Sequence, residues 1–148
     1  MIRVFRSTVI PASVERVWGI VRDFNALPAW LPSAVSSEIE EGLDPATIGC
    51  IRRVVADDNT IVRQRLTELS DAEHRCSYAL LSASYPMRNY TATFQLRPVT
   101  DVGHCYMTWF GDFNVDPEKE ADTVRFVGDT VFRGAFAKLV RLVAQAAS

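Results

Sequence analysis

The stretch from Asp116 to Ala146, DPEKEADTVRFVGDTVFRGAFAKLVRLVAQA, decides the fold. It opens with an acid suited to the N-cap, a proline at the first helical position and Glu118 near the positive end of the helix dipole. Val124, Val127, Val131, Ala135, Leu139 and Leu142 then step by three or four residues, and Phe132, Phe136, Val140 and Val143 widen that apolar stripe. A face this wide has to be covered. A helix from 117 to 146 is about 45 Å long at 1.5 Å per residue, whereas a nine-residue strand spans about 30 Å, so the helix can cross a whole sheet. Gly128 and Gly134 interrupt it at about 1 kcal/mol each relative to alanine, and each marks a bend, a close packing contact or a tolerated weakness.

The cover lies upstream. From 34 to 114 short β-prone runs alternate with turn signals, and six strands are expected at 34–41, 48–56, 60–69, 74–82, 88–97 (ended by Pro98) and 104–114. A seventh occupies 2–10 and stops at Ile10-Pro11-Ala12. Ser13 then caps a short helix whose Val14, Val17, Trp18 and Val21 share one face, and the prolines at 28 and 32 leave room for one more helical turn. The expected class is α+β: one domain over 1–148, with a curved antiparallel sheet of about seven strands wrapped around the long C-terminal helix and two short helices after the first strand.

Composition excludes several functions. Hydrophobic residues are 48% and charged residues 23% of the 148, the make-up of an ordinary globular domain. The net charge is −2 with the 16 basic residues scattered, which speaks against nucleic acid as a partner. Charges in Met1-Ile2-Arg3-Val4-Phe5-Arg6 break up any signal-like apolar run, and no stretch is long enough for a membrane span, so the cytoplasm is the expected location. Cys50, Cys76 and Cys105 form no CxxC pair and read as reduced thiols; His74 and His104 sit beside turns, so neither a metal nor a cofactor is expected. A homo-oligomer is left open.

Several short matches follow one another in order: Ile10-Pro11-Ala12-Ser13 leading to Val17-Trp18, Asp23-Phe24, Trp30-Leu31-Pro32, Gly49-Cys50-Ile51-Arg52, Gln64-Arg65-Leu66, Tyr78, Pro86 with Asn89-Tyr90, and Thr108-Trp109. Through them the chain resembles the START-like, or Bet v 1-like (SRPBCC), helix-grip superfamily, and within it the polyketide cyclase/dehydrase and lipid-transport branch. The matches span about 2–114, and the last helix fits by pattern alone. The resemblance implies a cavity for a small hydrophobic, lipid-like or polyketide-like ligand. Relatives often carry glutamate where this chain has Gln64, so an ionisable group is missing here, which counts against acid–base chemistry.

Strand parity nominates the cavity wall, because alternate residues face opposite sides of a sheet. Tyr90, Ala92, Phe94 and Leu96 oppose a polar set and point inward; Trp109 and Tyr78 are placed inward on their strands, the latter by the resemblance. Tyr90, Phe94 and the Phe132–Phe136 region are expected to face one interior space. Either face of 48–56 puts an arginine among apolar residues, and the resemblance selects Arg52, with Gln64, Tyr78 and Tyr90 as partners. The expected ligand-binding set is Trp30, Arg52, Gln64, Tyr78, Tyr90, Phe94, Trp109, Phe132 and Phe136. For the aromatics, plain core is the other reading. Arg52 either meets a ligand or satisfies backbone carbonyls, and Trp30 is either a lid or an anchor for its loop. Three functions compete: a binder or carrier of a small hydrophobic molecule, a polyketide cyclase/dehydrase-like enzyme with Arg52 stabilising an enolate, and an interaction or chaperone-regulating protein.

Overall fold

The computed structural model describes residues 1–146, so the last two positions of the expected domain lie outside the described residues. Seven strands form one antiparallel sheet: β1 (Ile2–Ile10), β2 (Ala34–Ile39), β3 (Ile51–Ala56), β4 (Ile61–Ser70), β5 (Arg75–Ser82), β6 (Arg88–Val99) and β7 (His104–Asn114). Their order across the sheet is β1-β7-β6-β5-β4-β3-β2, a meander from β2 to β7 with β1 added at the far edge. The fold is the expected helix-grip arrangement.

α1 (Val14–Val21) begins at Ser13, whose hydroxyl accepts from the Arg16 N–H, and it buries Val14, Val17, Trp18 and Val21. The expected second short helix is the 3₁₀ turn Leu27–Ala29. α1 is tied to the β4–β5 turn by Asp71, which accepts from the Trp18 indole at 2.8 Å and from the Arg22 guanidinium at 2.9 and 3.2 Å.

Three boundary expectations are corrected. β6 does not stop at Pro98: Pro98 pairs with Cys105 on β7, while pairing with β5 ends at Gln95, so no neighbour on that side requires the missing N–H. Ile48 precedes β3 and is exposed, because Gly49 turns the chain at φ 94° before the strand begins. Asp116 is no side-chain N-cap: its carboxylate accepts from Arg88, and Pro117–Lys119 forms a 3₁₀ turn before the helix proper.

The C-terminal helix runs as α2 (Glu120–Arg125), a π-helical segment (Phe126–Arg133) and α3 (Gly134–Ala146), with helical backbone angles at both junctions. The Gly134 N–H reaches back five residues to the Asp129 carbonyl. These wider turns shift the phase of the buried face, which passes through Thr123, Val127, Gly128, Phe132, Ala135, Phe136, Leu139 and Val143 and leaves Val131 only half-buried. The two glycines differ. A Cβ on Gly128 lies 2.5 Å from the Arg6 guanidinium, so this glycine is a packing contact, whereas one on Gly134 meets nothing closer than 3.9 Å. Arg6 itself points inward from the edge strand and bonds Asp129 at 3.4 Å, placing a charge where a flat edge is most open to another chain.

All three cysteines are buried and unpaired, Cys76 on β5, Cys105 on β7 and Cys50 just before β3. Among the described residues no helix is long and apolar enough to cross a membrane.

Candidate functional site

Inward parity delivers side chains from five adjacent strands to the space under the helix. Tyr90, Ala92, Phe94 and Leu96 of β6 are buried, as are Cys105, Met107, Trp109 and Phe113 of β7, and Cys76 and Tyr78 of β5. On β3 and β4, Arg52 stands opposite Gln64 in register. Part of this space is filled and part is a cavity with a free volume of about 80 Å³.

The filled part is aromatic. Trp109 stacks on Phe132 with centroids 4.4 Å apart and contacts Trp30, Phe94 and Phe136 at 5.4, 5.6 and 6.3 Å. Trp30 also meets Phe94 edge-on at 5.5 Å. Four of the nine nominated residues, Trp30, Phe94, Phe132 and Phe136, therefore sit in this cluster and do not line the cavity. Phe94 and Phe132 face the same interior as Tyr90, yet as its packed floor. Trp30 is the anchor of its loop and no lid.

The other five, Arg52, Gln64, Tyr78, Tyr90 and Trp109, do line the cavity. Parity alone also points to Val54 and Val62, which continue the same faces. The wall further includes Tyr85 and Met87 from the β5–β6 loop and Phe126, Val127 and Val131 from the helix. The loop residues carry no periodic signal, and Phe126 lies off the expected stripe, whereas Val127 and Val131 were on that stripe but were not nominated as cavity lining. Tyr85 and Phe126 pack at 5.0 Å and also border an outer groove beside Pro86, Lys119 and Asp122.

Electrostatically the cavity is one-sided. Arg52 is 3% exposed. Its Nε donates to Gln64 Oε1 at 2.7 Å and its Nη1 to the Phe24 carbonyl at 2.9 Å. The guanidinium lies over the Phe24 ring at 3.9 Å and the Tyr78 ring at 4.9 Å. No carboxylate pairs with it among the described residues. Burial pulls its pKa down, with Tyr78, Cys76, Cys50 and Tyr90 opposing, yet arginine keeps its proton in proteins.

Burial also pushes the Tyr78 hydroxyl up to about 12 against the nearby Arg52 charge, and Tyr90 well above its ordinary value. The Trp109 indole N–H is buried against the Tyr78 hydroxyl without a well-formed hydrogen bond, and the Trp30 indole N–H is likewise unsatisfied. Gly111 makes this corner possible, since a Cβ there falls 2.9 Å from the Tyr90 hydroxyl. The corner thus gathers Arg52, the Trp109 indole and two hydroxyls, with Tyr78 accepting from its neighbours.

The fold that encloses this interior is shared with solved structures. The chain superposes on protein XoxI from Bacillus cereus with a TM-score of 0.89 at 25% identity, covering 100% of this chain and 99% of that one. It matches a START superfamily protein from Mycobacterium smegmatis at TM-score 0.79 and 18% identity, over 97% and 98% of the two chains. The di-domain ARO/CYC BexL of the BE-7585A biosynthetic pathway matches at TM-score 0.79 and 21% identity, over 97% of this chain and 47% of that one. No curated protein matches the chain. Residues 1–145 match the family described as polyketide cyclase / dehydrase and lipid transport. A seven-stranded grip on one helix, an apolar cavity beneath it and a match along nearly the whole length agree, and the chain belongs to the polyketide cyclase/dehydrase and lipid transport family.

Proposed function

We propose that this protein binds and carries a small hydrophobic molecule in the cavity between sheet and helix. The observation that supports this best is a largely apolar wall with a few convergent polar groups, none of which changes protonation near neutrality. General acid–base catalysis works best with a group whose pKa lies near the operating pH, and the tyrosines here are held far above it. Gln64 carries no proton to exchange. The buried, unpaired thiols suit a reducing compartment, and we place the protein's work in the cytoplasm.

Native mass spectrometry and calorimetry with toluene as an apolar probe test the reading. One probe molecule per chain is expected, lost when Val62→Trp fills the cavity. Failure of every apolar probe to bind overturns it. One observation favours a second reading, a cyclase/dehydrase-like activity: Arg52, Tyr78 and Tyr90 converge where an enolate oxygen could be held. Conversion of a poly-β-keto thioester at a rate abolished by Arg52→Met selects that reading, and unchanged recovery of the thioester selects the carrier.

A further inference from the structure

From the donor corner and the free volume together, we infer that the physiological ligand is a compact organic anion, a short or single-ring carboxylate whose oxygens sit among Arg52, Tyr78, Tyr90 and the Trp109 indole, and not a long-chain lipid. The inference rests on the cavity being a binding site and specifies what it takes. Four observations carry it.

Arg52 is a buried cation, and the side chain closest to its Nε is a neutral amide that accepts one hydrogen bond at 2.7 Å. A buried charge without a counter-charge is costly, and an anionic ligand removes that cost by supplying one. The Trp109 N–H, on a side chain that lines the cavity, is buried beside the Tyr78 hydroxyl without a well-formed hydrogen bond; the Trp30 N–H, away from the cavity, is unsatisfied too, so the Trp109 donor counts only together with Arg52. The hydroxyls of Tyr78 and Tyr90, which bond to each other with Tyr78 accepting, also line the cavity and leave the Tyr78 O–H to donate, and planar guanidinium matches a carboxylate better than it matches a lone carbonyl.

Size follows from the fourth observation. A water-sized group needs about 10–15 Å³ of volume measured this way, so the cavity's 80 Å³ holds roughly five to eight such groups, and because bonded atoms overlap this is the scale of one substituted ring such as benzoate. Extension inward is blocked, because the Trp30–Phe94–Trp109–Phe132 cluster is already packed at ring contact distance. Inward, a long acyl chain has no course without dismantling the core; outward, Tyr85 and Phe126 stand between the cavity and the groove.

The experiment uses benzoate, toluene and hexadecanoate as probes of the full-length protein, read by calorimetry and by competition. Benzoate is expected to bind at least about tenfold more tightly than toluene, the smallest effect of a hydrogen bond to a charged group. Hexadecanoate is expected not to displace it. Gln64→Glu places a counter-charge beside Arg52, and Trp109→Phe keeps a ring while deleting the N–H; each is expected to weaken benzoate about tenfold and toluene less than about twofold. Thermal unfolding of both variants checks that the fold persists, and the wild-type benzoate-to-toluene ratio needs no variant at all. Equal binding of benzoate and toluene overturns the inference while leaving the carrier reading intact. Displacement of benzoate by hexadecanoate overturns the size limit. If no probe enters, both fall together.

Discussion

Tyr90 owes its position to the absence of a side chain on the neighbouring strand. Its hydroxyl lies where a Cβ on Gly111 belongs, and its ring is held by Phe113 at 5.7 Å, so it cannot swing away. Gly111→Ala is therefore expected to destabilise the protein by about 1–3 kcal/mol, the usual range for overpacking, and to move the Tyr90 hydroxyl out of the donor corner. Urea unfolding alongside benzoate titration checks both effects, and an unchanged midpoint defeats the argument. Gly134 gives the opposite sign. Its backbone is helical and its surroundings are open, so Gly134→Ala is expected to stabilise by about 0.5–1 kcal/mol in the same assay. A loss of stability there indicates that the π segment needs glycine at its end.

The strands were legible because their signal has period two, which survives errors in boundary: Tyr90, Phe94, Trp109 and Tyr78 all fall on the inner face whichever residue starts the strand. The C-terminal helix was legible as an element and largely in its buried face, but not in its π segment. The stripe placed Val127, Phe132, Ala135, Phe136, Leu139 and Val143 on the covered face, where they are buried, but it gave no sign of the π turn that sets Val131 against the cavity and Phe132 into the core. Parity also reveals a face and not a depth, so it could not separate Trp30, Phe94, Phe132 and Phe136, which fill the interior, from Arg52, Gln64, Tyr78, Tyr90 and Trp109, which border the free volume. The unpaired indole N–H of Trp109 depends on where its neighbours end, which no pattern encodes. Pro98 misled for a related reason. A proline is forbidden only where its missing N–H had a partner, and β5 has ended before that point.

For the molecule as a whole, burial of acidic side chains in their neutral form links stability to alkaline pH. Desolvation raises Cys76 from 9.0 to about 12, Tyr78 from 10.0 to about 12 and Cys105 from 9.0 to about 11. The unfolded chain releases these protons first, so above about pH 9 it binds fewer protons than the native state and stability falls as pH rises toward 12. Urea midpoints measured from pH 8 to 11 are expected to decline, with a shallower slope in Tyr78→Phe. A flat wild-type profile refutes the linkage.

The sheet order also sets a schedule. β1 is the first strand to be made, yet its sole ladder is with β7, where Ile2 meets Phe113 and Ile10 meets Cys105. Roughly a hundred residues separate the two, and at a synthesis rate of about 5–20 residues per second β1 waits on the order of 5–20 s for its partner. During that interval the nascent chain displays Val4, Ile10 and the exposed Phe5 and Val9 with nothing to pair them. Arg6, in the middle of that strand, then keeps a charge within the waiting segment, and only when Asp129 emerges does it gain its partner. Completion of this fold thus waits until β7 and the helix have both been made.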